Sequence, residues 1–169
     1  AILLTWFPGQ QMGNAVADIL FGDAEPGGRL PTTWPEKESD LPVRDVTPVK
    51  GILEYKEGSD IGYRAWIKSG KKPSFAFGYG LGYTTWKKEL LSNTWSKGLD
   101  IEVSVRNSGS RSGSDVVQVY GAPASDPTNK KLLGFAKVFA SAGEKKSISI
   151  YIAAHSFDFW ESGWVRKTG

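Results

Sequence analysis

The second half of this chain alternates apolar and polar residues with a period of two. Residues 99–106 read LDIEVSVR and residues 147–152 read SISIYI. Because successive side chains of a strand face opposite sides, this alternation indicates strands with one buried and one solvated face. Shorter apolar stretches around Val117 and Leu133 mark two more strands. Strands at this spacing with Gly-rich turns predict an antiparallel β-sandwich over residues 84–169.

The beginning of the chain shows a different pattern. Residues 2–7 form an apolar run without any charge, which predicts a buried strand. Apolar residues at helical spacing follow, with Asn14 as the expected N-cap and Gly22 as the expected end of the helix. A strand and a helix are half of a βαβ unit, so residues 1–48 are expected to end an α/β domain whose other strands lie elsewhere.

A linking segment is expected between these two parts, over residues 49–83. Residues 23–48 before it are rich in Gly and Pro and predict a loop. Residues 52–67 predict a short strand or a bulged ribbon. Residues 75–83 alternate aromatic residues with glycine, which lets the backbone turn sharply while the rings pack.

Composition argues against several classes of function. The net charge is +3 and the lysines are scattered, whereas a nucleic-acid-binding surface needs a dense basic stripe or a recognised module. There is no cysteine, and His155 has no partner at ligand spacing, so no metal site is expected. No apolar stretch reaches the roughly 20 residues of a membrane span.

The glycines of residues 78–82 lack the flanking strand and helix of a dinucleotide loop, and no cofactor is expected. Enzymes of several compartments lack cysteine, so a secreted, periplasmic or cytoplasmic location is equally compatible.

Several ordered motifs together resemble glycoside hydrolase family 3. They are WFPGQ at 6–10, GNAVADILFGD at 13–23, EPGGRLPTTWP at 25–35, YKEG at 55–58, GYR at 62–64, FAFGYGLGYTTW at 75–86, RNSG at 106–109, VVQVY at 116–120, LGF at 133–135 and AGE at 142–144. The resemblance covers essentially the whole chain, from the end of the family's α/β sandwich domain through most of its fibronectin type III-like domain.

This resemblance implies a β-glucosidase-like enzyme with a (β/α)8-type barrel, an α/β sandwich domain and a fibronectin-like domain. Members of the family hydrolyse terminal β-D-glycosyl residues with retention of configuration. Their Asp nucleophile and their acid/base Glu would both precede Ala1, so no catalytic residue is expected here. The resemblance also implies a further strand after Gly169. The rest of the enzyme and a β-glucoside are then the expected partners.

A catalytic pair within the chain would need two carboxyl groups about 5–5.5 Å apart, one of them protonated. Most acidic residues lie in polar runs or on the outward face of a strand. Glu57 and Asp60 are the best candidates, since they lie beside Arg64 and beside Tyr63 and Trp66, whose rings could stack on a sugar. Either these five residues contact substrate at the rim of the site, or a carboxylate pairs with Arg64 and fixes a loop.

Two interpretations of the whole chain follow. The first is a non-catalytic, scaffolding part of a retaining β-glucosidase-like hydrolase. The alternative is a stand-alone carbohydrate-binding or structural β-sandwich module. The seven tryptophans bear on this choice: the family motifs place three in the core and leave four freer to contact ligand. The first set is Trp6, Trp34 and Trp86, and the second is Trp66, Trp95, Trp160 and Trp164.

Overall fold

The alternating segments form β-strands, as the sequence predicts. The computed structural model describes residues 1–160 and 162–166. Within these residues it has two α-helices and seven strands. They are α1 (Met12–Phe21), α2 (Gly62–Ser69), β1 (Trp86–Trp95), β2 (Gly98–Asn107), β3 (Gly113–Gly121), β4 (Lys131–Ala140), β5 (Lys145–Ala153), β6 (Asp158–Trp160) and β7 (Trp164–Arg166). Short 3₁₀ turns cover Glu38–Asp40 and Ala154–Phe157.

Two antiparallel sheets pack face to face and enclose the core. One has the order β1-β2-β5 and the other pairs β3 with β4. The inward residues of β2 and β5 meet those of β3 and β4, which is the packing of a β-sandwich. Val105 and Ile152 are among the most buried side chains. The core cluster consists of Ile101, Val103, Val105, Val117, Val138, Ile150 and Ile152. The predicted antiparallel sandwich is therefore confirmed.

Strand β1 was not predicted from the sequence. It is an edge strand and almost wholly exposed, so it carries no apolar alternation. Its register against β2 shifts between Leu90 and Ser92, and such a bulge breaks the period of two. Strands β6 and β7 pair with each other as an antiparallel hairpin. The further strand implied after Gly169 lies outside the described residues.

The predicted strand at residues 2–7 is wrong for this structure. These residues form no strand, and they make no ladder with another part of the described chain. The run is exposed rather than buried, with Phe7 100% exposed. A parallel strand is buried only when neighbouring strands and helices cover it, and the described residues supply none.

Helix α1 follows this run and is amphipathic, as expected. Its N-cap is Gln11 rather than Asn14, whose side-chain amide instead donates a hydrogen bond to the Gln11 side chain. The predicted end is confirmed: Gly22 has a left-handed backbone with φ 87°, and its N–H donates to the Ile19 carbonyl. Residues 23–48 contain no α-helix and no named strand, as predicted for a loop.

The predicted strand or ribbon at residues 52–67 is wrong. Residues 62–69 form helix α2, and the nearest ladder contact is an isolated bridge between Val49 and Ile52. Tyr63, Trp66 and Ile67 recur at positions i, i+3 and i+4, so a helical period was present beside the period of two. Packing of this face against the second sheet selects the helix.

Residues 75–83, which we call the glycine-rich segment, pack their aromatic rings as expected. Phe77 stacks on Tyr63 with the ring centroids 4.6 Å apart, and Phe75 lies 6.2 Å edge-on from Trp34. Two expectations for tryptophan fail: Trp66 is only 4% exposed, whereas Trp6 is half-exposed. Trp66 is buried because it lies on the inner face of α2, a helix that the sequence did not predict.

Candidate functional site

The two carboxylates singled out from the sequence lie on an exposed turn before α2. Glu57 and Asp60 are half-buried, and the Asp60 N–H donates a hydrogen bond to the Glu57 carbonyl oxygen. Asp60 forms an ion pair with Lys68, in the last turn of α2. The expected pair with Arg64 is therefore not formed. Helix α2 places the Lys68 ammonium group, rather than the Arg64 guanidinium group, next to the Asp60 carboxylate.

The other three candidates belong to α2, and they face the second sheet of the sandwich. The Tyr63 hydroxyl accepts a hydrogen bond of 2.7 Å from the Leu132 N–H at the start of β4. Trp66 is buried, and the Arg64 Nε atom is buried without a partner among the described residues. Tyr63 and Trp66 thus use their rings for packing, and one face of Tyr63 is already covered by Phe77.

A cleft of about 520 Å³ lies between α2 and the outer face of β3. Tyr63, Trp66, Phe77 and Tyr120 supply its aromatic walls, and Thr33 contributes a hydroxyl that has no partner among the described residues. Burial raises the pKa of the Tyr120 phenol, which stays neutral and donates to Gln118 at 2.7 Å. The cleft has no carboxylate in its lining, so it offers no acid or base for hydrolysis.

The described carboxyl groups with shifted pKa values are all shifted the wrong way for a general acid. Hydrogen bonds lower the pKa of Asp45, Asp126 and Glu144, and that of Asp115 is also lowered. A general acid for glycoside hydrolysis needs a raised pKa, so that it holds a proton near neutral pH. These four groups are ionised there and cannot serve in that role.

The buried carboxylate of Asp115 joins the two halves of the chain. Asp115 on β3 is only 3% exposed. One of its oxygens lies 2.6 Å from Arg29 Nη2, and the other lies 2.7 Å from Lys88 Nζ. The Val116 N–H also donates to it at 2.7 Å. We call Arg29, Lys88 and Asp115 the charge clamp.

Two opposing effects set the pKa of the Asp115 carboxyl. Burial raises it, but hydrogen bonds from Lys88 and Arg29 outweigh burial and hold the pKa below its ordinary value of 3.8. A buried carboxylate with two cationic partners is stable only while both remain in place. The clamp therefore ties the segment around Arg29 to β3.

Backbone contacts extend this junction on one side. The Leu30 N–H donates to the Tyr79 carbonyl at 2.8 Å, and the Gly78 N–H donates to the Leu30 carbonyl at 2.7 Å. At Gly80 the two segments approach so closely that a Cβ atom would lie 2.6 Å from the Gly28 carbonyl oxygen. The glycine-rich segment thus lies directly against the loop at Arg29.

A second contact holds the C-terminal end of α1. The Tyr83 hydroxyl donates to the Ile19 carbonyl at 2.5 Å, and Arg111 donates to the Gly22 carbonyl. The Arg111 guanidinium also lies 5.3 Å from the centre of the Tyr83 ring. A cation at this end of a helix interacts favourably with the helix dipole and with free carbonyl groups.

Asn107, within the RNSG motif, holds the strand ends together around these contacts. It is fully buried, its amide donates to the Arg111 and Ala140 carbonyls, and its oxygen accepts from the Thr84 hydroxyl and the Gly109 N–H. All of its hydrogen-bonding capacity is used. This motif therefore has a structural role, and it positions Arg111.

Arg29 lies within one of the family motifs, but no sequence pattern predicted a role for it or for Asp115. The only local signal was an acidic residue, Asp115, at the beginning of an apolar strand.

The described residues contain no group of three or more His, Cys, Asp or Glu that could hold a metal ion. Neither helix in the described part of the chain is long and apolar enough to cross a bilayer.

Comparison with family models divides the chain at this junction. Residues 1–83 match the glycosyl hydrolase family 3 C-terminal domain, and residues 115–169 match a fibronectin type III-like domain. A β-glucosidase of Rhizobium radiobacter is 40% identical over 95% of the chain, and β-glucosidase B of Emericella nidulans is 42% identical over 89% of it. The chain spans 21% and 20% of the length of these two relatives.

Solved structures give the same result. The β-glucosidase DesR of Streptomyces venezuelae, in complex with D-glucose, is 37% identical and superimposes with a TM-score of 0.88 over 97% of the chain and 23% of its own length. β-Glucosidase 3B of Thermotoga neapolitana, in complex with glycerol, is 33% identical, with a TM-score of 0.89 over 98% of the chain and 25% of its own length. The chain belongs to glycoside hydrolase family 3, with residues 1–83 matching that family's C-terminal domain and residues 115–169 matching a fibronectin type III-like domain.

Proposed function

We propose that these residues are the non-catalytic C-terminal part of a retaining β-glucosidase that hydrolyses terminal β-D-glycosyl residues. The relatives named β-glucosidase support this activity for the whole protein. Two carboxyl groups suffice for such hydrolysis, and no cofactor is required. The partners of the chain are then the remaining domains of the same enzyme, and the substrate is a β-glucoside.

The observation that carries a scaffolding role is the charge clamp. The carboxylate of Asp115 is deeply buried, and it lies between Arg29 of the family 3 segment and Lys88 of the sandwich. Burying an ion costs free energy that only well-placed partners offset. In the intact enzyme, the clamp would hold the fibronectin-like domain in a fixed orientation on the α/β domain.

The candidate residues around α2 fit the same role. Tyr63 and Trp66 pack α2 against β4 and the glycine-rich segment, and Asp60 fixes the preceding turn through Lys68. Arg64 and Glu57 stay as candidates for contact with substrate at the rim of the site in the whole enzyme. We propose that none of the five is a catalytic residue.

Hydrolysis of an aryl β-glucoside tests the proposal. The full-length protein is compared with residues 1–169 alone and with full-length Glu57→Gln and Asp60→Asn variants. We expect hydrolysis by the full-length protein, no turnover by residues 1–169, and kcat values of the variants within about tenfold of the wild type. Loss of a catalytic acid or base would lower kcat by about 100-fold or more.

Three outcomes would contradict parts of the proposal. Turnover by residues 1–169 alone would place the catalytic carboxyls within the chain. A 100-fold loss of kcat in either variant, with unchanged thermal unfolding, would make that carboxylate catalytic. A full-length protein that binds cello-oligosaccharides but hydrolyses no β-glucoside would favour the stand-alone binding module instead.

A further inference from the structure

We infer that the outer face of the β1-β2-β5 sheet binds a linear acidic polysaccharide through three aligned cations, Lys87, Arg106 and Lys145. We call these three residues the cation row. The inference concerns the outer face of this sheet, opposite the core, and it does not depend on the hydrolytic activity proposed above.

The strand register places the three side chains in one line. Lys87 of β1 lies directly opposite Arg106 of β2, and Arg106 lies directly opposite Lys145 of β5. Neighbouring strands of a sheet are about 4.8 Å apart, so the line runs across the strands at that spacing. Arg106 lies between the fully buried Val105 and Asn107, so it faces outward, and all three cations are exposed.

This arrangement is unfavourable in the chain by itself. Like charges directly opposite each other destabilise a sheet. None of the three forms an ion pair within 4.0 Å among the described residues. Their sequence neighbours differ, since Lys88 pairs with Asp115 and Lys146 pairs with Glu144. An external anion would relieve the repulsion among these three cations.

The surroundings of the cation row favour a carbohydrate over a peptide. The next line of side chains on this face is Glu89, Ser104 and Ser147. Peptides are held mainly by aromatic or aliphatic anchors in pockets, and these two lines contain none. Ammonium and guanidinium groups instead bind carboxylates through charge-assisted hydrogen bonds. A carboxylated polysaccharide repeats such groups along a hydrophilic chain.

Acidic residues further along the same face set the direction of the bound chain. Glu102 and Asp100 occupy the next two outward positions of β2 beyond Ser104. They repel a polyanion that runs parallel to the strands. The ligand is therefore expected to cross the three strands along the cation row.

Isothermal titration of the full-length protein with polygalacturonate tests this inference. The row variant combines Lys87→Gln, Arg106→Gln and Lys145→Gln. The control combines Lys37→Gln, Lys72→Gln and Lys97→Gln, which removes the same charge from exposed lysines elsewhere. We expect the row variant to bind at least tenfold more weakly, about 1.4 kcal/mol, and the control to bind like the wild type. Methyl-esterified polygalacturonate, which lacks the charges, should not bind, and added salt should weaken binding.

Thermal unfolding distinguishes polyanion binding by the cation row from a merely structural role of its three residues. Removing the repulsion should raise the Tm of the row variant at low salt, and polygalacturonate should raise the Tm of the wild type but not of the row variant. The inference is overturned if the wild type does not bind, if both variants lose affinity equally, or if the row variant unfolds at lower temperature. Tighter binding of poly-glutamate than of polygalacturonate would also overturn it, in favour of an acidic protein partner.

Discussion

The Arg29 guanidinium and the Asp115 carboxylate lie 2.6 Å apart, although 86 positions separate them in the sequence. Arg29 lies in the segment that matches the family 3 C-terminal domain, and Asp115 is the first residue that matches the fibronectin type III-like domain. One buried ion pair therefore joins the two family regions. Its strength should be measurable by changing pH or by removing one partner.

Acid should weaken this junction in a way that depends on Asp115. Its pKa is lower in the folded chain than its ordinary value of 3.8, so the ion pairs stabilise the fold above that pH. This contribution is lost as the pH falls through the folded pKa. We expect the free energy of unfolding of the wild type to fall more steeply below pH 3.8 than that of Asp115→Asn. Urea unfolding at a series of pH values measures the difference, and parallel curves would contradict it.

The Tyr63 hydroxyl should contribute to stability through the Leu132 N–H. Tyr63→Phe keeps the ring stacked on Phe77 but leaves that N–H without its acceptor. We expect a loss of about 1–3 kcal/mol in the free energy of unfolding, measured in urea. Tyr55→Phe is the matched control, because Tyr55 is 73% exposed and its loss of a hydroxyl should change nothing. Equal effects of the two substitutions would mean that the Tyr63 hydrogen bond contributes no stability.

Gly80 should tolerate no side chain, because the chain segment at Gly28 approaches it closely. In Gly80→Ala the new methyl group would lie 2.6 Å from the Gly28 carbonyl oxygen, a backbone atom that cannot move alone. We expect destabilisation of about 1–3 kcal/mol. Gly28→Ala, on the opposite side of the same contact, meets nothing within 4 Å and should be close to neutral. Thermal melts of both variants decide this, and a neutral Gly80→Ala would show that the two segments can separate.

Asn107 should be the least replaceable polar residue of the sandwich. Asn107→Asp preserves the shape but loses both donors to the Arg111 and Ala140 carbonyls, and it places a carboxylate in a fully buried position. The free energy of unfolding should fall by at least about 3 kcal/mol. Asn93→Asp on the exposed strand β1 makes the same chemical change and should cost under about 0.5 kcal/mol. Similar denaturation midpoints for the two variants would rule out a structural role for the buried amide.

The sequence predicted the elements whose patterns are local. Strands β2 and β5 alternate strictly because one face of each packs on the core, and Gly22 marks the end of α1. Helix α2 was missed because the apolar residues of 52–67 fit both the helical period and the period of two of a strand. Tertiary packing decides between the two structures. Strand β1 was missed because an exposed, bulged edge needs no alternation.

The site was less predictable than the fold. The charge clamp joins residues far apart in sequence, and no pattern within 86 positions indicates that Arg29 should meet Asp115. Asp60 was considered as a partner of Arg64, but in the structure it pairs with Lys68 of α2 instead. The domain limits at residues 48 and 83 stay predictions.

The most direct test of the scaffolding role measures kcat and unfolding together in full-length Asp115→Asn. Removing the central charge of the clamp leaves Arg29 and Lys88 without their partner, so the free energy of unfolding should fall by about 3 kcal/mol. Asp40→Asn removes a more exposed partner of Lys71 and should cost under about 1 kcal/mol. If Asp115 only holds domains together, kcat for an aryl β-glucoside should stay within about threefold of the wild type below the unfolding transition. A fall in kcat of about 100-fold with unchanged stability would contradict the account, because it would make this carboxylate part of the catalytic machinery.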